Sequence, residues 1–125
     1  MQKEAKVLQI IAPTKPEWRD LPVLDPQEGE VVVKVNAVST CPHWDLHIID
    51  GEPMFPNMKM EYPYTPGQPG HEMVGEVAAL GPGVEGFSIG DRVAAWQDRG
   101  LQVRQGCYAQ YVPFATKSLL KVPEH

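Results

Sequence analysis

Thirteen prolines and eleven glycines are spread through 125 residues, and that density restricts the chain to short elements joined by tight turns, with little room for a long helix. Between the breakers lie runs that read as strands: Glu4 to Ile11, Glu30 to Val38, His71 to Leu80, Arg92 to Trp96 and Cys107 to Val112. The run Val31-Val32-Val33-Lys34-Val35 is β-branched and nearly continuous, as expected of a strand covered on both faces. Cys41 to Gly51 is the best helical candidate. Its Trp44, Ile48 and Ile49 fall near one face, and Gly51 is placed to stop it. Residues 52–69 hold Pro53, Pro56, Pro63, Pro66 and Pro69, which predicts a loop stiffened by proline and by Tyr62 and Tyr64, of the kind that lines or covers a site. Gln97 to Gln105 reads as a second polar insertion. Short strands with turns between them predict a mainly β fold, a barrel or sandwich.

The length suits one domain with a single core, spanning 1–125. A hydrophobic fraction of 42% with 22% charged residues fits an ordinary globular chain. The net charge of −5, with basic residues scattered singly apart from Arg99 and Arg104, argues against a surface for nucleic acid. No segment has the length or apolarity of a membrane span, and the amino terminus has no apolar signal region. A cytoplasmic setting is therefore expected, with Cys41 and Cys107 as thiols rather than a disulfide.

The segment Gly70-His71-Glu72-Met73-Val74-Gly75 sets a histidine and a glutamate side by side at the head of an apolar run, with Cys41 thirty residues upstream. Imidazole nitrogen, carboxylate oxygen and thiolate sulfur are all zinc donors, and three protein ligands leave a position open for water or substrate. The plainer reading is a His-Glu pair at a strand end with no metal. Gly81-Pro82-Gly83-Val84-Glu85-Gly86 has the spacing of a dinucleotide-binding turn, but that turn needs a strand before it and a helix after it. Here Phe87 to Val93 reads as a turn and a strand, so a hairpin-like connection is expected and no nucleotide site. Trp18, Trp44 and Trp96 are candidates for a pocket wall, Trp44 first among them; core packing is the more common fate.

The positions Gly70, His71, Glu72, Gly75, Gly81 and Val84 match the signature of zinc-containing alcohol dehydrogenases. Lys34 to Gly51, Gly90-Asp91-Arg92-Val93 and Gly106 to Val112 extend the likeness. The chain resembles the amino-terminal, GroES-like catalytic domain of the medium-chain dehydrogenase/reductase superfamily. The resemblance implies a GroES-like, partly open β-barrel with one or two short helices, normally followed by a Rossmann domain for NAD(P). It implies zinc held by Cys41 and His71, with Glu72 as a further or alternating ligand that tunes the metal. It implies Asp45 as support for a ligand imidazole and His47 at the end of a proton relay. The family's Cys-x-x-Asp-x-His becomes Cys41-Pro42-His43-Trp44-Asp45-Leu46-His47 here, one residue longer, with Trp44 where a relay hydroxyl is usual. Aligned on Asp45, the ligand position falls on Pro42. A one-residue bulge restores Cys41; otherwise His43 substitutes, or Cys41 is a buried free thiol. Ala94 to Gly106 holds no cysteine, so no structural zinc is expected.

Two readings follow from this. The first is the catalytic portion of a zinc-dependent alcohol dehydrogenase-like oxidoreductase, acting on a small alcohol or aldehyde and inactive without a cofactor-binding domain or partner. The second is a non-enzymatic GroES-like barrel that oligomerises, as a homodimer for example, or binds a partner. A true co-chaperonin ring is a third option, for which Gly-His-Glu is not needed.

Overall fold

The computed structural model describes residues 1–96 and 103–123. Seven strands and one α-helix follow in order: β1 (Glu4–Ala12), β2 (Lys15–Pro22), β3 (Glu30–Val38), α1 (Pro42–Asp50), β4 (Glu72–Leu80), β5 (Arg92–Trp96), β6 (Tyr111–Ala115) and β7 (Leu119–Lys121), with a single 3-10 turn at Thr116–Ser118. The fold is mainly β, as expected, and its sheets stay open. A five-stranded sheet runs β6-β3-β4-β5-β7, and β1 and β2 form a separate antiparallel pair. The two are stitched together by a bridge between Val7 and Ala109 and by Gln110 N–H donating to Lys6 C=O at 3.0 Å. This is a partly open barrel of the GroES-like kind.

The centre of the sheet is where the sequence is most apolar. Val31, Val32 and Val33 of β3 are wholly buried, the first and third in the main core with Val7, Val77, Val93, Val112 and Phe114. Fully burying a side chain of this size is worth about 1.5–3 kcal/mol, so β3 supplies much of what holds the barrel together. Its ladder with β4 shifts register at Val32/Val33 and again at Val35/Ala37, irregularities that bend strands at barrel rims. The second shift lies just ahead of Cys41.

The helix forms where expected. Pro42 occupies its first position, where a missing N–H costs nothing. Gly51 closes it at φ 79°, in the left-handed region, which glycine enters without a Cβ penalty. Ile48 is buried against Ile10 of β1 and against Met58 and Tyr64 of the loop. The proline-rich segment is indeed a loop, and Tyr62 Oη donates to the carbonyl of Ile48 at 2.7 Å.

Two stretches differ from the sequence reading. Lys15–Pro22 is a strand although almost every residue is exposed; it is held by pairing with β1 across a turn at Thr14, φ 63°. The last long strand is Tyr111–Ala115 rather than Cys107 to Val112, and β7 follows it. The Gly81 to Gly86 turn joins the antiparallel strands β4 and β5, which is the hairpin-like connection expected. The insertion at Gln97 to Gln105 lies outside the described residues up to position 102.

Candidate functional site

His71 stands at the foot of β4 and is held from two sides. The segment 67–70 that delivers it lies against residues 106–108: Cys107 N–H donates to Gly70 C=O at 2.9 Å and Tyr108 N–H to Gly67 C=O at 3.1 Å. The approach demands glycine on both sides, since a Cβ on Gly67 would lie 2.2 Å from the Gly106 oxygen. The imidazole itself is buried. Its Nδ1 is 3.0 Å from the Pro69 carbonyl, which makes Nδ1 the protonated nitrogen of the neutral ring and leaves the Nε2 lone pair free. Nε2 is 3.6 Å from Glu72 Oε1.

Opposite His71 stands the first turn of α1. The Trp44 ring meets the His71 ring edge-on, with centroids 6.5 Å apart. Asp45 is buried, and its Oδ2 accepts from the Cys41 N–H at 3.2 Å and from the Tyr108 hydroxyl. Its Oδ1 has no partner, and neither does the side-chain amide of Gln68, three residues before His71. Burial, the bond to Asp45 and that residue's charge push the Tyr108 hydroxyl well above the ordinary phenol range. Burial, with the Glu72 charge second, pushes the Cys107 thiol up to about 12.

The residues singled out from the sequence thus divide into three groups. His71 and Glu72 are brought together; Cys41, Trp44 and Asp45 stand at the facing end of α1. Two donors 3.6 Å apart suit a single zinc ion bonded to each at roughly 2.0–2.2 Å. Cys41 is half-buried at the helix cap and does not close a third corner. Among the described residues no three His, Cys, Asp or Glu side chains form a group ready to hold a metal. His43 and His47 meet edge-on, with centroids 5.3 Å apart. They line a second, shallow hollow with Asp50 and Glu52, and His47 Nδ1 lies 2.9 Å from the Glu52 carbonyl. Tyr108 lies in the Gly106 to Val112 stretch that carries the likeness but was given no role from the sequence, and nothing local marks Gln68.

Glu72 also opens onto a hollow of about 580 Å³, lined with Val38, Ser39, Met73, Val74 and Trp96. Its walls are largely apolar and its polar groups few, the usual make-up of a small-molecule site. Trp96 therefore lines it, and both Trp96 and, on β2, Trp18 are exposed. No described helix is long and apolar enough to cross a membrane.

The family of alcohol dehydrogenase GroES-like domains matches residues 27–124. Alcohol dehydrogenase patD of Aspergillus clavatus is 34% identical across 85% of this chain and 31% of its own length. The L-threonine 3-dehydrogenase of Pyrococcus furiosus is 39% identical across 67% of this chain and 24% of its own. Among solved structures, an alcohol dehydrogenase superfamily protein from Novosphingobium aromaticivorans superimposes with a TM-score of 0.80 at 29% identity, over 95% of this chain and 34% of that one. The chain spans about a third or less of the length of these relatives.

Proposed function

Since the chain belongs to the alcohol dehydrogenase GroES-like domain family, we propose that it is the substrate-side portion of an oxidoreductase that interconverts a small alcohol and its aldehyde. The observation that carries this reading is the His71–Glu72 pair, 3.6 Å apart, whose Glu72 borders an apolar hollow that would take the carbon part of such a molecule. The nicotinamide, NAD or NADP, supplies the hydride acceptor when bound, and it is held by a further domain or a separate partner. No turnover is expected of these 125 residues by themselves.

In this reading His71 Nε2 and Glu72 would hold zinc, and Cys41, apart from the pair as the chain stands, would be the third donor once the first turn of α1 closed on them. Bound there, zinc supplies a Lewis acid at the substrate oxygen. The chain's own part is to hold and orient. The Pro69 carbonyl fixes the His71 tautomer, the arrangement that keeps a ligand imidazole in place. Asp45 anchors the Cys41 turn, and Val74, Met73 and Trp96 would offer the carbon chain an apolar wall. His47, beside Glu52, remains the candidate for passing a proton to solvent. The setting proposed is the cytoplasm, with no nucleic-acid partner.

Elemental analysis of protein purified without chelators tests the metal. Close to one zinc per chain, lost in His71→Ala, is the expected result. Zinc well below one per chain and unchanged by His71→Ala overturns it.

One observation favours a second reading, a barrel used for self-association or partner binding. Val74, Trp96 and Leu120 are exposed on β4, β5 and β7, strands that lie side by side. Apolar surface of this sort marks contact sites. A sedimentation coefficient independent of concentration, with no partner bound, removes it.

A further inference from the structure

We propose that Tyr108 is a positioning residue of this site: through Asp45, its hydroxyl sets how the first turn of α1 stands against His71. The inference rests on the reading above for the metal, and on geometry alone for the positioning.

Tyr108 is fixed at its backbone beside the segment that delivers His71. Its N–H donates to Gly67 C=O at 3.1 Å and its carbonyl accepts from Leu8 N–H at 2.8 Å. The ring lies against Gly70, where an added Cβ would meet ring carbons at 3.0 Å. From there the hydroxyl reaches 63 positions back in the chain to Asp45 Oδ2. The same oxygen accepts the Cys41 N–H, and the other oxygen, Oδ1, is buried without a partner.

The carboxylate therefore hangs on two donors. One belongs to its own helix cap; the other, Tyr108, crosses to the His71 side. Elsewhere α1 rests Ile48 on Ile10, Met58 and Tyr64 and its last turn accepts from the Tyr62 hydroxyl and the Thr14 N–H, contacts with residues that do not adjoin His71 in the chain. A hydrogen bond to a charged acceptor away from water is among the stronger ones available. Besides Ser39 N–H donating to Glu72 C=O at 3.0 Å and the edge of the Trp44 ring, the tie between the Cys41 turn and the His71 side passes through this phenol. Trp44, next to Asp45, stands edge-on to the His71 ring, so the His71 ring protons report any movement of that turn.

Tyr108→Phe keeps the ring against Gly70 and removes only the hydroxyl. In the intact 125-residue chain, proton NMR should show the His71 ring resonances shifted, with the methyls of Val31, Val33 and Val112 unmoved. Zinc affinity, by titration, should fall about tenfold, the low end for loss of a group that orients a ligand. Asp45→Asn keeps an acceptor for the phenol and should move His71 less. Unchanged His71 resonances in folded Tyr108→Phe overturn the proposal. So does a shift shared by all the core methyls, which marks a general structural role. If Tyr108→Phe does not fold, unchanged His71 resonances in Asp45→Asn overturn it and a His71-only shift supports it. If the parent chain takes up no zinc, the metal reading fails separately, and the His71 resonances still decide the positioning.

Discussion

Gly70 and Tyr108 approach so closely that a Cβ on Gly70 would lie 2.6 Å from the Tyr108 backbone nitrogen. The glycine of Gly-His-Glu is thus required by the chain packed behind it as well as by anything in front of the histidine. Gly70→Ala should cost about 1–3 kcal/mol, the usual range for overpacking, and displace His71. Gly86→Ala is the contrast. Its added Cβ meets nothing within 4 Å, but φ there is +80°, so the expected cost of about 1–2 kcal/mol is purely conformational. Urea midpoints should fall for both, and His71 ring resonances should move only for Gly70→Ala. Equal midpoints for Gly70→Ala and the parent remove the steric argument.

Stability should decline on the alkaline side of pH 9. In the unfolded chain the Cys107 thiol ionises near its ordinary value of 9.0, whereas in the fold it is held neutral up to about 12 by burial and by Glu72. The unfolded state therefore releases protons first, and the stabilisation present below pH 9 is lost as pH rises toward 12. Tyr62, Tyr64 and Tyr108 are raised in the same direction and add to the slope above pH 10. Denaturant midpoints measured between about pH 8 and about pH 10.5 should fall, and Cys107→Ala should make the decline shallower. A flat profile over that interval contradicts this account.

The strands that were legible in the sequence are those whose composition alone determines them. Val31 to Val35 could hardly be anything but a covered strand, and β4 and β5 carry their apolar residues in the same way. The helix was legible at both ends, from Pro42 and Gly51. What was not legible depends on partners far along the chain. Lys15–Pro22 is charged, bounded by prolines and exposed nearly throughout, with no alternating pattern to read; β1 makes it a strand. Residues 106–108 look like strand but spend their N–H groups on Pro66, Gly70 and Gly67, so the ladder begins only at Tyr111. Pro113 within β6 is tolerated because that strand is the sheet's edge. The site divides likewise. Adjacent His71 and Glu72 announce themselves, whereas the Tyr108 hydroxyl acquires its meaning only when folding carries it to Asp45.

The two thiols should separate cleanly under alkylation. Cys107 is fully buried and Cys41 half-buried, so iodoacetamide applied to the native chain should modify Cys41 first, and Cys107 only after unfolding. If Cys41 is the third zinc donor, added zinc should slow its modification and a chelator restore the rate, with His71→Ala abolishing the protection. Peptide mapping by mass spectrometry reads all three outcomes. A Cys41 rate indifferent to zinc leaves the thiol out of the metal site.

Trp96 offers the most direct approach to the hollow beside Glu72. It is 60% exposed and pairs with Glu72 across β5 and β4, so its ring forms wall without carrying core. Trp96→Ala should leave stability within about 0.5 kcal/mol of the parent, as for most surface changes. A bound alcohol that buries about 40 Å² of apolar surface against the ring should lose about 1 kcal/mol, roughly fivefold in affinity. Primary alcohols of increasing chain length, followed by saturation-transfer NMR on the intact chain, supply the comparison. The loss should grow with chain length if the hollow takes the carbon tail. An affinity equal to the parent's at every length places the substrate elsewhere on the molecule.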